Sequence, residues 1–200
     1  ILMAGGLGTR LRPLTQDIPK PLLKVGNKPI LETIIKNFAN HGFVNITISL
    51  NYKGEMIKDY FGDGSNFGVN IDYVEENMRL GTAGALSLIE NKPNEAFFVM
   101  NADLLTDVNF SHLLDFHSFS NSDATMCVRE YEYQVPYGVI EVEESNVTSI
   151  VEKPIQKFFV NAGIYVLSPK VFDYIPKNEF YDMPTLFNTF IEKEKRVISF

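Results

Sequence analysis

Short apolar runs alternate with segments of helical period along this chain, and that order admits few folds. Residues 1–4 (ILMA) read as a buried strand, followed by a Gly/Pro/Lys-rich loop over 5–29. Ile30, Leu31, Ile34, Ile35 and Phe38 then recur at helical spacing. Residues 45–50 (NITISL) read as a strand, 53–61 as a helix ending at Gly62, 69–75 as a strand and 82–90 as a helix. Residues 96–101 (AFFVMN) are apolar enough for a strand covered on both faces. Phe110, Leu113, Leu114 and His117 mark a further helix, which Asn109 is suited to cap. This order predicts an α/β fold: a Rossmann-like mixed, mostly parallel sheet flanked by helices. The second half is more mixed. It has a strand at 124–131, then a hairpin of 137–143 with 146–152 around Glu144-Ser145-Asn146. A strand at 160–167 follows, then a helix marked by Leu186, Phe187, Phe190 and Ile191, and a last strand from Val197. No repeat or linker divides the 200 residues, so a single domain over 1–200 is expected. Both ends break off inside strand-like runs, which predicts truncation at both ends. In open α/β sheets ligands bind beyond the carboxyl ends of the strands. The loops after Ala4, Glu75 and Asn101 are therefore where chemistry is expected.

Composition removes several classes of function. Lys+Arg number 18 against 25 Asp+Glu, a net charge of −7. That balance is wrong for non-specific nucleic-acid binding, which needs a basic surface. A single cysteine, Cys127, excludes an internal disulfide, and with three scattered histidines it excludes a Cys/His zinc site. No apolar run approaches the ~20 residues of a membrane span. The first residues lack the basic start and cleavage site of a signal peptide. A cytoplasmic protein without a membrane partner is expected.

The first loop is the strongest chemical signal. It reads Gly5-Gly6-Leu7-Gly8-Thr9-Arg10-Leu11-Arg12-Pro13-Leu14-Thr15, then Pro19-Lys20-Pro21. Glycines after a strand let backbone N–H groups approach a phosphate closely. Arg10 and Arg12 add forked donors suited to phosphate oxygens, and Lys20 adds a point charge on a Pro-stiffened segment. Together they suit a triphosphate. A tight turn with merely solvated basic residues accounts poorly for three glycines and three cations so close together in an acidic chain. The P-loop pattern G-x-x-x-x-G-K-[ST] is absent. The dinucleotide fingerprint fails because Leu11 stands where Gly6-Leu7-Gly8 would need a third glycine. A nicotinamide-dependent oxidoreductase is therefore a poor second choice.

The other loops carry weaker signals. In Leu80-Gly81-Thr82-Ala83-Gly84-Ala85, small residues let a flat ring lie against backbone. The same residues also suit a helix start, with Thr82 as N-cap and glycine for packing. Asp103, just past the 96–101 strand and beside the triphosphate loop, is placed to hold Mg²⁺, which takes one or two carboxylates plus phosphate oxygens. Asp107 reads better as a cap of the next helix. Glu152 beside Lys153 offers a hydroxyl acceptor and a phosphate donor, suited to a phosphorylated sugar, or else a surface ion pair of little energetic weight.

The first loop, with Lys28-Pro29-Ile30-Leu31-Glu32, resembles the signature of the sugar-phosphate nucleotidylyltransferases, or nucleotide-sugar pyrophosphorylases. The likeness extends along nearly the whole chain. It is greatest to the mannose-1-phosphate guanylyltransferase-like branch, whose relatives can carry CBS regulatory domains. The resemblance implies the nucleotide-diphospho-sugar transferase fold. It places nucleotide binding on Ala4, Gly5, Gly6, Gly8, Thr9, Arg10 and Lys20, and the nucleobase against Gly81, Thr82 and Ala83. The family's Gly-Asp pair falls on Ala102-Asp103, which makes Asp103 the metal ligand. Gly138, Glu152, Lys153 and Asn161 fall on sugar-phosphate-binding positions, Asn161 within Asn161-Ala162-Gly163-Ile164-Tyr165. A homo-oligomer is also implied. The family's second metal-binding aspartate, near a Trp-x-Asp-[Ile/Val]-Gly stretch, has no counterpart up to Phe200.

The expected reaction joins a nucleoside triphosphate, GTP favoured, to a hexose 1-phosphate and releases pyrophosphate. Arg10 binds the leaving pyrophosphate, Lys20 the α-phosphate, Lys153 the sugar phosphate and Asp103 the Mg²⁺. A non-catalytic paralogue that binds a nucleotide sugar and regulates a partner is the alternative.

Overall fold

The computed structural model describes residues 1–200. Its elements in chain order are β1 (Leu2–Met3), β2 (Lys24–Val25), β3 (Lys28–Pro29), α1 (Ile30–Asn40), β4 (Asn45–Leu50), α2 (Gly54–Phe61), β5 (Asn70–Glu75) and α3 (Gly81–Gly84). There follow β6 (Phe97–Asn101), α4 (Phe110–Phe119), β7 (Ala124–Gln134), β8 (Val139–Glu143), β9 (Asn146–Val151), β10 (Ile155–Leu167), α5 (Met183–Glu192) and β11 (Val197–Ser199). The chain forms two compact units: Ile1–Met126 with Gly163–Phe200, and Cys127–Ala162.

The first unit is organised by a seven-stranded sheet in the order β11-β7-β10-β6-β1-β4-β5. β1 runs parallel to both neighbours, with Leu2 opposite Ile48 and Met100. β4 and β5 pair in parallel from Asn45↔Asn70 to Leu50↔Glu75. β10 is antiparallel to β6, with Ile164 opposite Met100. The sheet is thus mostly parallel and mixed, as the alternation predicts.

The pleat of β6 explains its continuous apolar run. On one face Phe98 meets Phe38 of α1 and Phe110 of α4, each at 5.5 Å between ring centroids, and those two rings stack at 4.0 Å. Opposite side chains, Phe97 and Val99, join a buried cluster with Ala83, Leu186, Phe187 and Phe190. A strand buried on both faces needs no polar alternation. The parallel strands β1, β4, β5 and β6 direct their carboxyl ends to one rim, where three of the predicted loops emerge.

Two local expectations are corrected. Residues 82–90 do not form one helix: α3 is a single turn, followed by a 3-10 turn over Ala85–Leu88. The N–H groups of Ala83 and Gly84 both donate to the Tyr181 carbonyl (3.0 and 2.7 Å), so a distant segment fixes this turn. Asp107 does not cap α4. Asn109 does, its side chain accepting the His112 N–H at 3.0 Å. β7 and β10 also run further than their periodicity indicated.

The second unit contains the predicted hairpin, β8 paired antiparallel with β9 from Val139↔Val151, with an irregularity at Glu141/Val142. Lys157 bridges Glu130 and Glu132 at 2.9 and 2.7 Å. No helix is long and apolar enough to cross a membrane.

Candidate active site

The loop after β1 is built to present donors. None of the backbone N–H groups from Gly5 to Arg10 meets an acceptor within the protein. Successive free N–H groups in a turn are the donors from which an anion-binding concavity is made. Gly8 sits in the left-handed region (φ 61°, ψ 20°), where a side chain is strained, and turns the chain into a short 3-10 segment, Thr9–Leu11. Its carbonyl accepts the Leu11 N–H at 3.0 Å and the Thr15 hydroxyl at 2.8 Å. Further on, the Gln16 carbonyl accepts Lys53 Nζ at 2.5 Å. Arg10 and Arg12 are exposed, with no carboxylate in ion-pair range.

Lys20 and Asp103 meet. The ammonium donates to the Asp103 carboxylate, and each side chain keeps roughly a third of its surface open (28% and 30%). Lys20 opens a 3-10 turn behind Pro19, and Asp103 lies two residues past β6. Ala102, where the resembling family carries glycine, is buried, and its N–H donates to the Met3 carbonyl at 3.1 Å.

A further carboxylate, which the sequence reading did not single out, stands at the end of β5. Glu76 accepts the buried Ser49 hydroxyl at 2.8 Å and the Leu80 N–H at 3.2 Å, while its own carbonyl accepts Asn51 Nδ2 at 3.1 Å. It lies against the first loop: a Cβ on Gly5 would come within 2.9 Å of Glu76 Oε1. Its position in one of the three rim loops was the available signal. Nearby, Gly81 (φ 80°) would place a Cβ 2.7 Å from the Tyr181 carbonyl, and Gly84 one 2.8 Å from the Glu179 carbonyl. Thr82 is not an N-cap of its own helix. Its hydroxyl accepts the Met183 N–H at 2.9 Å, at the start of α5. The small residues of this turn therefore answer to packing as well as to any ligand.

In the second unit, Gly138 and Glu152 are neighbours, a Cβ on Gly138 falling 3.1 Å from Glu152 Oε2. Lys153 adopts φ 47°, donates its N–H to Tyr137 O at 3.3 Å, and forms no ion pair, so the surface pair with Glu152 is absent. Asn161 lies within β10.

Nucleophilic catalysis by protein groups has little material. Cys127 is buried, and burial pushes its thiol up to about 11. His117, on the apolar face of its helix, is buried with Nδ1 2.8 Å from Thr125 Oγ1, a core histidine. No three His, Cys, Asp or Glu side chains cluster as a metal cage.

The Nucleotidyl transferase family profile matches residues 1–196. A mannose-1-phosphate guanyltransferase of Yarrowia lipolytica is 40% identical over 183 residues, covering 88% of this chain and 50% of its own. That of Saccharomyces cerevisiae is 37% identical over 211 residues, covering 100% and 58%. The chain thus spans about half the length of the curated relatives it matches. Among solved structures, HddC from Yersinia pseudotuberculosis superposes with a TM-score of 0.73 at 29% identity, covering 100% of this chain and 88% of that one. The same protein complexed with GMP-PN gives 0.73 at 28%, with the same coverage. The glycine-rich donor loop, the carboxylates on the sheet rim and these matches along nearly every residue agree: the chain belongs to the nucleotidyl transferase family.

Proposed function

We propose that this chain catalyses nucleotidyl transfer between a nucleoside triphosphate, GTP favoured, and a hexose 1-phosphate. A phosphate oxygen of the sugar phosphate attacks the α-phosphorus in line. The new P–O bond forms as the bond to the β-phosphate bridging oxygen breaks, and pyrophosphate leaves with that electron pair. The attacking oxygen is already anionic, so no general base is needed.

The observation that carries this reading is the unpaired run of N–H groups from Gly5 to Arg10 beside the Lys20–Asp103 pair. The run suits the charge of a triphosphate. Arg10 binds the departing pyrophosphate, and Lys20 turns from Asp103 to the α-phosphate as charge builds there. Asp103 is the residue to hold Mg²⁺. Its carboxylate already accepts a cationic group, and magnesium needs few protein ligands when phosphates supply the rest. When bound, Mg²⁺ would offset the charge repulsion between two anionic substrates. Gly138, Glu152, Lys153 and Asn161 hold the sugar phosphate, with Lys153 free of a competing carboxylate.

Glu76 supports the preference for guanine. An ionised carboxylate only accepts, and guanine's Watson–Crick edge offers two adjacent donors, N1–H and N2–H. The names of the mannose-1-phosphate guanyltransferases and the GMP-PN complex of HddC point the same way.

The test is pyrophosphate release by the full-length protein with Mg²⁺. Five triphosphates (GTP, UTP, dTTP, CTP, ATP) are crossed with mannose, glucose, glucosamine and N-acetylglucosamine 1-phosphates. Release that requires one triphosphate and one sugar phosphate together is the expected result. No release with any pair, alongside tight binding of a nucleotide sugar, would leave the regulatory paralogue as the better reading.

A further inference from the structure

We infer that Thr15 is the positioning residue of the phosphate loop: its buried hydroxyl holds the Gly8 carbonyl inward, so that the Thr9 N–H faces the anion. The inference rests on the proposal that this loop binds a triphosphate.

The argument starts from the peptide unit. In a planar trans peptide the C=O and N–H point in opposite directions. The Gly8 carbonyl and the Thr9 N–H belong to one such unit, so fixing the first aims the second. That unit turns about ψ of Gly8 and φ of Thr9, and glycine at φ 61° admits ψ values closed to residues with a side chain. Rotation would bury the N–H and turn a carbonyl oxygen toward the triphosphate.

Two donors oppose the rotation. The Leu11 N–H is part of the turn itself and comes with it. The Thr15 hydroxyl, at 2.8 Å, comes from seven residues further along. Thr15 is 1% exposed, and its methyl lies where a Cβ on Gly8 would fall, at 2.9 Å. A buried threonine among exposed neighbours in a polar loop is thus spent on one carbonyl. Phosphate contact by Thr15 itself plays no part, since its oxygen is turned to Gly8.

The experiment compares Thr15→Val, which keeps shape and loses the hydroxyl, with Thr15→Ser, which keeps the hydroxyl. Both are assayed in the full-length protein with the triphosphate and sugar phosphate that the wild type uses. The readouts are KM for each substrate, kcat, and the Kd of inorganic pyrophosphate by calorimetry. Thr15→Val is expected to raise the triphosphate KM and the pyrophosphate Kd about tenfold, the scale of one hydrogen bond. KM for the sugar phosphate is expected to stay within about twofold, and Thr15→Ser to restore wild-type values. A merely structural role would lower kcat through a smaller active fraction and leave KM unchanged. That result, equal rises in both KM values, or no rescue by serine would each overturn the inference. Should the valine variant not fold, Thr15→Ala replaces it. Failure of both to fold would also overturn the inference, since the hydroxyl would then serve the fold. A wild type that neither turns over nor binds any triphosphate retires the proposed function instead. An active wild type with an indifferent Thr15→Val retires only this one.

Discussion

Lys20 and Asp103 neutralise each other, and under the proposed function a substrate that brings phosphates and a cation gives each a new partner. Exposed ion pairs contribute about 0–1 kcal/mol to stability. Lys20→Ala or Asp103→Ala should therefore barely move the melting temperature, while kcat falls by about two orders of magnitude or more, the scale of losing one charge-stabilising group. Pyrophosphate release beside a thermal melt checks both halves, and near-normal turnover in either variant would refute its role. Glu76 makes a separate prediction about choice of base. Glu76→Gln sets an amide donor against a guanine donor, so the ratio of kcat/KM for GTP over the next-best triphosphate should fall about tenfold or more. An unchanged ratio would remove Glu76 from base recognition. These residues were unequally legible. Lys20 and Arg10 stand in a long motif whose glycines and cations have few other uses, and Asp103 is marked by its place just past an apolar strand. Glu76 is one acid among many at a strand end, and what marks it is tertiary: the first loop's Gly5 lies against it, and Ser49 and Leu80 donate to it.

At the scale of elements, local signals performed where the backbone bonds are local. The spacing of Ile30, Leu31, Ile34, Ile35 and Phe38 located α1, and Asn109 capped α4 as its residue type suggested. The turn over residues 81–88 was misread because Thr82, Ala83 and Leu86 mimic a helical face, while the N–H groups of Ala83 and Gly84 are taken by Tyr181, about a hundred residues away. No local pattern encodes that partner. The same stitching leads into α5, whose N-cap is Asp182, accepting the Thr185 N–H at 3.0 Å and the Thr185 hydroxyl at 2.6 Å. Those two bonds, the hydroxyl's first, hold the Asp182 carboxyl below its usual value. A lowered carboxyl stabilises the fold above its unfolded value, near 3.8, and that contribution disappears as pH falls through the lower folded value. Asp182→Ala should cost about 1 kcal/mol at neutral pH. Denaturant titrations at pH 7 and near pH 3 should show the gap between variant and wild type closing in acid. A gap that persists unchanged would assign the loss to something other than the charged cap.

Across the whole molecule, the sheet's mostly parallel character and its two covered faces follow from the apolar run of β6 and the alternation around it, whereas the strand order does not. What the alternation could not convey is the partner of a polar group that the core encloses. The spacing puts His117 on the apolar face of α4, but not its Nδ1 beside the fully buried Thr125 hydroxyl of β7. Burial lowers its pKa below 6.5, against a smaller opposing pull from Asp123. The folded protein therefore prefers the neutral ring. The unfolded chain takes up a proton as pH drops below about 6.5, so it binds more protons than the native state there. The contribution of His117 is fully present above the unfolded value. It shrinks as pH falls toward the folded value, with a slope of at most about 1.4 kcal/mol per pH unit. Carboxylates titrate mostly at lower pH and leave the interval between about 5 and 7 to histidines. His117→Gln keeps a polar partner for Thr125 and removes the titration. Urea unfolding at pH 7, 6 and 5 should show the wild type losing stability toward acid faster than the glutamine variant. Parallel pH profiles for the two proteins would mean that the buried ring takes up its proton as readily folded as unfolded, and that the core around Thr125 admits water.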